Sequence, residues 1–339
     1  MSERGTSGKV VRVIGYGVGP IGAETLRQAL KTPWLQVVGA IDIDPAMAGR
    51  DLGEVLGLGR ALGVAVSADA GACLAKTPAD IVIHCAGSRL PAILDHLTTC
   101  IAAGLRVVSS AEELVFPTLR HPDIARELDR TARERGVALL GTGVNPGFVM
   151  DLLPLVCTAV CRDVRRIEVE RVVDAGTRRL PLQRKVGAGM TPQAFRGQVE
   201  AGKLGHVGLV ESLACVADAL GWTIGEIKES LDPVLAEADV QTAYLRVARG
   251  EVAGLHHVAR ASAPGQGEIA LDLRMYVGAR DPHDTIRIEG TPPLDLLIRG
   301  GTAGDQATVA ALINAIPRVL AAPPGLHTLR DLPVPRMAG

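Results

Sequence analysis

Aromatic side chains are scarce: three Phe, three Tyr and two Trp make up 2% of 339 residues. A surface that stacks exposed bases on rings cannot be built from so few. No excess of one charge sign replaces them, because 36 Lys and Arg stand against 37 Asp and Glu, for a formal net charge of −1. No basic stripe is present, and nucleic acid is excluded as a partner. No apolar run reaches the roughly 18 uninterrupted residues of a membrane span, so no membrane partner is expected. Met1–Gly8 is polar, lacks the apolar stretch of a signal peptide and reads as a frayed end. Cysteine is also sparse. Cys73, Cys85, Cys100, Cys157, Cys161 and Cys215 lie mostly within apolar segments, and Cys157-x-x-x-Cys161 has no second ligand pair nearby. All six are read as reduced core thiols, no metal is expected, and a cytoplasmic location follows.

What the chain does have is glycine in a telling place. Val10–Ile14 is a short β-branched run, and Gly15-Tyr16-Gly17-Val18-Gly19-Pro20-Ile21-Gly22 follows it directly. Gly17-x-Gly19-x-x-Gly22 between a strand and a helix is the fingerprint of a dinucleotide-binding loop. Gly17 permits the tight turn. Gly19 has no Cβ, so a pyrophosphate can approach the backbone, and Gly22 lets the helix pack closely on the strand. The helix N-terminus, opened by Pro20 and Ile21, offers N–H groups and a positive dipole end to phosphates. A second strand ends in Asp42, 20 residues past Gly22, where an acid holds the ribose hydroxyls. Ser88, beyond the strand Ala79–Cys85, joins the cofactor candidates. A carboxylate at Asp42 favours NAD(H), because it would repel a 2′-phosphate, but Arg50 keeps NADP(H) open.

Hydrophobic residues make up 47% of the chain, enough for two sizeable cores. Strands and helices alternate through the first half. Strands are expected at Val10–Gly15, Val37–Asp42, Ala79–Cys85, Arg106–Ser109 and Val137–Gly141, and helices at Ile21–Leu30, Leu90–Ala103 and His121–Arg135. A short helix is expected at the end of Asp44–Leu56. Such alternation means βαβ units and a parallel sheet. The pattern changes near Gly147. Helices are expected at Phe148–Cys161, Thr191–Glu200 and Leu209–Leu220, and strands at Asp163–Val173, Gln241–Glu251 and Glu268–Val277. The fold class is therefore α/β: an N-terminal Rossmann domain with a doubly wound parallel sheet, plus a C-terminal α/β domain with a mixed sheet. The expected boundaries are 1–146 for the cofactor domain and 147–304 for a substrate-binding and dimerisation domain. The helix Asp305–Leu320 and an extended proline-rich tail, 305–339, are expected to pack back on the first domain.

Two segments carry the chemistry. In Val107-Val108-Ser109-Ser110-Ala111-Glu112-Glu113-Leu114, a carboxylate pair follows a late strand of the sheet. Ligands of doubly wound sheets bind outside the carboxyl ends of their strands, so Glu112 and Glu113 are the catalytic candidates. The alternative is a capping box, with Ser110 as N-cap and Glu113 three residues on; both hold together if Glu113 caps and Glu112 faces the ligand. The second segment is Leu140-Gly141-Thr142-Gly143-Val144-Asn145-Pro146-Gly147-Phe148-Val149-Met150-Asp151. Asn145 can donate and accept hydrogen bonds, to the cofactor carboxamide or to a substrate. Pro146-Gly147 is a turn, and Phe148 either lines a pocket or joins the core.

With Gly205-His206-Val207-Gly208-Leu209-Val210-Glu211-Ser212 and Asn314-Ala315-Ile316-Pro317-Arg318-Val319, these two segments resemble the native amine dehydrogenases. Those enzymes are close to 2,4-diaminopentanoate dehydrogenase and more distant from dihydrodipicolinate reductase. The resemblance runs over nearly the whole chain. It implies reductive amination of ketones and aldehydes by ammonia with NAD(H) or NADP(H), and a homodimer. The family's essential glutamate falls on the Glu112–Glu113 pair, with Glu112 the first choice, and Phe148 and His206 are the substrate candidates. A diamino acid dehydrogenase is the alternative, with Arg178, Arg179, Arg184 or Lys185 as a carboxylate clamp, although a solvated basic loop is the simpler reading of that run. A non-catalytic NAD(P)-binding sensor is the alternative of another class. His256–Gly265 loosely resembles a reductase His-His motif but lacks its lysine, aspartate and serine, and is read as a surface loop.

Overall fold

The structure is a computed structural model that describes residues 10–338, so the Met1–Gly8 reading lies outside the described residues. The first half follows the expected alternation. It runs β1 (Val11–Tyr16), α1 (Pro20–Lys31), β2 (Leu35–Ile41), α2 (Leu52–Val55), β3 (Val66–Ser67), α3 (Ala70–Lys76), β4 (Ile81–His84), α4 (Leu90–Ala102), β5 (Arg106–Ser109), α5 (Pro122–Arg135) and β6 (Ala138–Gly141). A single 3-10 turn, Glu112–Leu114, follows β5. The second half runs α6 (Leu152–Thr158), β7 (Arg162–Asp174), α7 (Leu180–Lys185), α8 (Pro192–Glu200), α9 (Leu209–Ala219), β8 (Lys228–Leu235), β9 (Val240–Gln241), β10 (Arg246–Val247), β11 (Val252–Ala263), β12 (Gly267–Tyr276), β13 (His283–Thr291) and β14 (Leu294–Arg299). Last come α10 (Gly304–Ala321) and β15 (Gly325–His327).

Two compact units result. One comprises residues up to Val144 together with Gly304 onwards, and the other is Asn145–Ala303. The first unit holds a seven-stranded parallel sheet in the order β15-β6-β5-β4-β1-β2-β3. Chain order reverses between β1 and β4, the switch point at which Rossmann sheets take their ligands. Both faces are covered, and residue pairs along each strand divide between them. Val13, Ile83, Val108 and Leu140 pack with Leu26 of α1 and with Leu312 and Ile316 of α10. Ile14, Val82, Val107 and Leu139 pack with Ile93 and Leu97 of α4 and Leu128 of α5 on the opposite face. This two-sided burial is why these strands read as near-continuous apolar runs. The tail is not merely extended: its β15 adds a parallel edge strand beside β6.

The second unit is a mixed six-stranded sheet in the order β14-β13-β7-β12-β11-β8, in which β7 and β12 are parallel and the other neighbours antiparallel. One face carries Ile167, Val169, Ile269, Leu271 and Ile288, all buried, and α9 packs on β11 and β12. The alternate residues are charged and pair across strands, as Arg274 does with Glu170 at 3.4 Å.

Four expectations need correction. His256–Gly265 is not a surface loop: most of it is the interior strand β11, flanked by β8 and β12, with His257 2% exposed. Its period is two, with His257, Ala259 and Ala261 buried and Arg260 and Ser262 outward. The strand expected at Gln241–Glu251 is only the short pair β9–β10, because the Thr242 hydroxyl accepts the Tyr244 and Leu245 N–H groups and turns the chain. The helix expected from Phe148 starts at Leu152, since Gly147 is in a positive-φ conformation (+128°) and Asp151 is the N-cap. The basic run ends in a short helix, α7, rather than a loop, although Arg184 and Lys185 on it are exposed. Among the described residues, no helix is long and apolar enough to cross a membrane.

Candidate functional site

In the first unit the glycine loop has the geometry its spacing requires. Gly17 has φ +90°, and a Cβ there would sit 2.8 Å from the Cys85 carbonyl. A Cβ on Gly22 would lie 1.9 Å from the Gly17 carbonyl oxygen, so α1 can approach the loop only with glycine at that position. Gly19 is different: a Cβ there would meet nothing within 4 Å. The two outer glycines are demanded by the protein's own packing, and the middle one leaves open space beside the start of α1. That helix begins with Gly19 as N-cap, Pro20 in its first turn and no side-chain cap. A capless helix N-terminus facing open space suits a phosphate. The Asp42 carboxylate, just past β2, accepts the Val18 N–H at 2.6 Å and the Asp44 N–H at 2.9 Å. It ties the strand end to the glycine loop and retains lone pairs for a further donor. These residues fit a dinucleotide. Arg50 is turned to the Ala46 carbonyl and Glu54.

The C-terminal ends of four strands align in one row, Tyr16 beside His84, His84 beside Ser109 and Ser109 beside Gly141. The Glu112–Leu114 turn packs on the end of this row. A Cβ on Gly141 would be 2.5 Å from the Leu114 carbonyl carbon, so glycine there makes room for the turn. The capping box does not form: the turn's N-cap is Ala111, with no side-chain bond. The Glu113 carboxylate instead accepts the Leu90 N–H at 2.7 Å, capping α4 from outside that helix. The physical reason is Arg89, which occupies the N-cap of α4 and has no acceptor to offer. Glu113 also meets His121 Nε2 at 3.0 Å, and its backbone N–H donates to the carbonyl of Ser88. It is buried and committed, whereas Glu112 is half-buried on the same turn.

Sequence reading missed the group beneath this turn. The Ser109 hydroxyl accepts the Ala111 N–H at 3.1 Å and lies 2.9 Å from His84 Nδ1, while His84 Nε2 lies 3.3 Å from His96 Nδ1. The His96 ring stacks on Tyr16 at 4.7 Å. Burial, with His96 alongside, lowers the His84 pKa to about 3, so the imidazole is neutral; burial raises Tyr16 to about 12. The neutral imidazole thus bridges the Ser109 hydroxyl and His96 through its two ring nitrogens. The one available signal was a histidine ending a buried strand.

In the second unit, Asn145 has both side-chain polar atoms, Nδ2 and Oδ1, buried without a hydrogen-bond partner. Buried amides are normally satisfied, so a ligand is the natural partner. Asp151, missed in the sequence, organises this segment: its fully buried carboxylate accepts the Gly147 and Leu152 N–H groups and the Ser212 hydroxyl at 2.7–2.8 Å. Phe148 is half-buried. Elsewhere in this unit the His206 ring stands edge-on to His257 at 6.4 Å, with Nε2 buried and unpartnered. Burial holds the His206 pKa well below its ordinary value. His257 Nε2 meets Glu229 at 2.7 Å.

Comparison with known proteins agrees with these features. The profile of the 2,4-diaminopentanoate dehydrogenase C-terminal domain matches residues 148–338. The 2,4-diaminopentanoate dehydrogenase of Acetoanaerobium sticklandii is 32% identical over 335 residues, covering 96% of this chain and 94% of that one. The chain belongs to the 2,4-diaminopentanoate dehydrogenase family. An amine dehydrogenase of Streptomyces virginiae is 26% identical over 352 residues, covering 96% of this chain and 97% of the relative. Among solved structures, the amine dehydrogenase of Mycobacterium smegmatis superposes with a TM-score of 0.87 at 28% identity over 97% of each chain. A dihydrodipicolinate reductase from Paenisporosarcina shares the fold, with a TM-score of 0.53 at 13% identity. As a member of this dehydrogenase family the chain is an oxidoreductase that uses NAD(H) or NADP(H).

Proposed function

We propose that this protein interconverts a small primary amine and the corresponding ketone or aldehyde plus ammonia, with Glu112 as the proton-transfer residue. The observation that carries the reading is the division of labour in the carboxylate pair. Glu113 is buried and spent on Leu90 and His121, while Glu112 stands on a turn pinned at the C-terminal edge of the sheet. Gly17, Gly19, Pro20, Ile21 and Gly22 hold the pyrophosphate, Asp42 the ribose, and Ser88 lies on the neighbouring loop. Asn145, with two unpartnered polar atoms, serves the carboxamide or the substrate; Phe148 and His206 contact the substrate. The bound nicotinamide supplies hydride chemistry at C4. The protein's part is for the Glu112 carboxylate to take a proton from ammonium, which frees ammonia to attack the carbonyl, to return that proton to the carbinolamine hydroxyl as it leaves as water, and then, ionised again, to stabilise the cationic iminium. Asp42 beside the ribose favours NAD(H) over NADP(H).

A homodimer is part of the proposal, resting on the resemblance to the native amine dehydrogenases, as is a cytoplasmic setting, supported by six free cysteines. The 32% identity to a diaminopentanoate dehydrogenase favours a second reading, in which the substrate carries a carboxylate and a second amine. One screen tests both. Cyclohexanone, pentanal and pyruvate are assayed in ammonium buffer with each reduced cofactor, and 2,4-diaminopentanoate with each oxidised one. Turnover of cyclohexanone and pentanal with poor pyruvate amination supports the first reading. Turnover confined to the diamino acid replaces it with the second, and fast pyruvate amination alone overturns both.

A further inference from the structure

The segment Gly205–Ser212 supplies His206 to the reading above, but its last residues have a different task. Every residue of α9 from Leu209 to Ala217 is buried, and Glu211 and Ser212 are the polar ones among them. Ser212 bonds in two directions. Its backbone N–H donates at 2.9 Å to the carbonyl of Gly208, the N-cap of α9, two residues beyond His206. Its hydroxyl donates at 2.8 Å to Asp151 Oδ2, across 61 positions of sequence. The same oxygen accepts the Gly147 N–H at 2.7 Å. Gly147 stands at φ +128°. Phe148 is next in the chain, and its carbonyl accepts the Leu153 N–H at 2.8 Å.

Asp151 is an unusual cap. The side chain of a helix N-cap ordinarily accepts the N–H of the second or third helical residue. Asp151 bonds the first, Leu152, and turns its other oxygen back to Gly147 and across to Ser212. It is fully buried, and these hydrogen bonds come from neutral donors. A carboxylate in an apolar interior is costly unless its hydrogen bonds are made. A helix start alone would be served by a neutral serine or threonine. The carboxylate is explained instead by its bonds to the loop and to α9. One oxygen joins the loop that carries Asn145 and Phe148 to the helix whose N-cap follows His206. With its length from Leu209 to Ala217 buried, α9 is the fixed side of this link.

We propose that Asp151 and Ser212 are positioning residues that set how the Asn145–Phe148 loop stands relative to His206, and through that spacing the enzyme's affinity for its organic substrate. The proposal rests on the reading of Phe148 and His206 as substrate contacts. The test compares the full chain as wild type, Ser212→Ala, Ser212→Thr and Val216→Ala, the last a core truncation on α9 outside this link. Amide hydrogen exchange is followed over 147–150 and 209–217, and NAD(H) binding by titration. KM and kcat are measured with whichever substrate of the screen above the wild type turns over. In Ser212→Ala, exchange over 147–150 is expected to quicken about tenfold, the low end for losing a hydrogen bond to a charged acceptor, with 209–217 unchanged. KM is expected to rise about tenfold with kcat within about threefold, the signature of lost binding rather than lost chemistry. NAD(H) affinity is expected to stay as in the wild type. Ser212→Thr keeps the hydroxyl and is expected to restore both exchange and KM. Val216→Ala is expected to lower stability without moving either. Unchanged exchange over 147–150, an unchanged KM, a fall in kcat alone, or the same rise of KM in Val216→Ala overturns the proposal. Should Ser212→Thr not fold, exchange and the KM-against-kcat split of Ser212→Ala decide it. A wild type that turns over only the diamino acid or only pyruvate overturns the amine reading, and this test then runs on that substrate; the exchange measurement needs no turnover at all.

Discussion

Glu112 and Glu113 are neighbours in different surroundings, one half-buried and one buried on Leu90 and His121, and substitution separates their roles. Glu112→Gln removes an ionisable group and leaves the turn intact. It is expected to lower kcat by roughly 10²–10⁴-fold, the usual worth of a positioned acid–base group, with cofactor affinity almost unchanged. Steady-state kinetics and a cofactor titration check this, and a Glu112→Gln enzyme of near-normal rate would reduce the residue to scaffold. Glu113→Ala strands the buried Leu90 N–H, so it is expected to destabilise the protein by about 1–3 kcal/mol, read by chemical denaturation. Asp42→Ala removes a negative charge from the proposed ribose position and one tether of the glycine loop. Both cofactors are expected to bind more weakly, while the NADP(H)/NAD(H) ratio of kcat/KM rises about tenfold, the equivalent of about 1.4 kcal/mol. An unchanged ratio would place Asp42 outside the ribose site.

At the scale of elements, the ends of β4 and β5 are joined by His84 and Ser109, and this junction gives a pH signature. His84 titrates at about 3 in the fold against 6.5 in the unfolded chain. Between those values the unfolded state binds a proton that the native state refuses. Stability is therefore complete above pH 6.5 and falls as pH drops towards 3. From pH 6.5 to pH 5 the loss is about 2 kcal/mol. Replacing His84 by Asn is expected to flatten this part of the denaturation profile; a slope unchanged in the variant would assign it to another group. The elements easiest to foresee were those buried on both faces or strictly periodic: β1, β4, β5, α4 and β7 match their expected spans within two residues or so. Those misjudged share a different cause. β11 alternates histidine, arginine and serine with small apolar residues, so its sequence looks polar although eight of its twelve residues are buried. The capping box failed because Glu113 serves a helix that begins 23 positions earlier, and local spacing carries no trace of such a partner.

At the scale of the whole molecule, the chain leaves the Rossmann unit at Val144 and returns to it at Gly304. Leu312 of α10 is fully buried in the same core as Leu26 and Ile83. Leu312→Ala is expected to cost about 2–5 kcal/mol and to lower the unfolding midpoint reported by Trp34, although the residue lies nearly three hundred positions from that tryptophan. A midpoint unchanged at Trp34 would show that α10 does not share the first unit's stability.

Glycine spacing, strand–helix alternation and the acid after β2 were legible directly, because tight turns, side-chain periodicity and helix starts are short-range consequences of residue type. Folding was needed to commit Glu113 to Leu90 and His121, to put His84 and Ser109 beneath the Glu112–Leu114 turn, and to bury the Asn145 amide without a partner. Each of those facts depends on which distant groups come within hydrogen-bond reach and how much water they lose, and neither quantity is encoded at any single position of the chain.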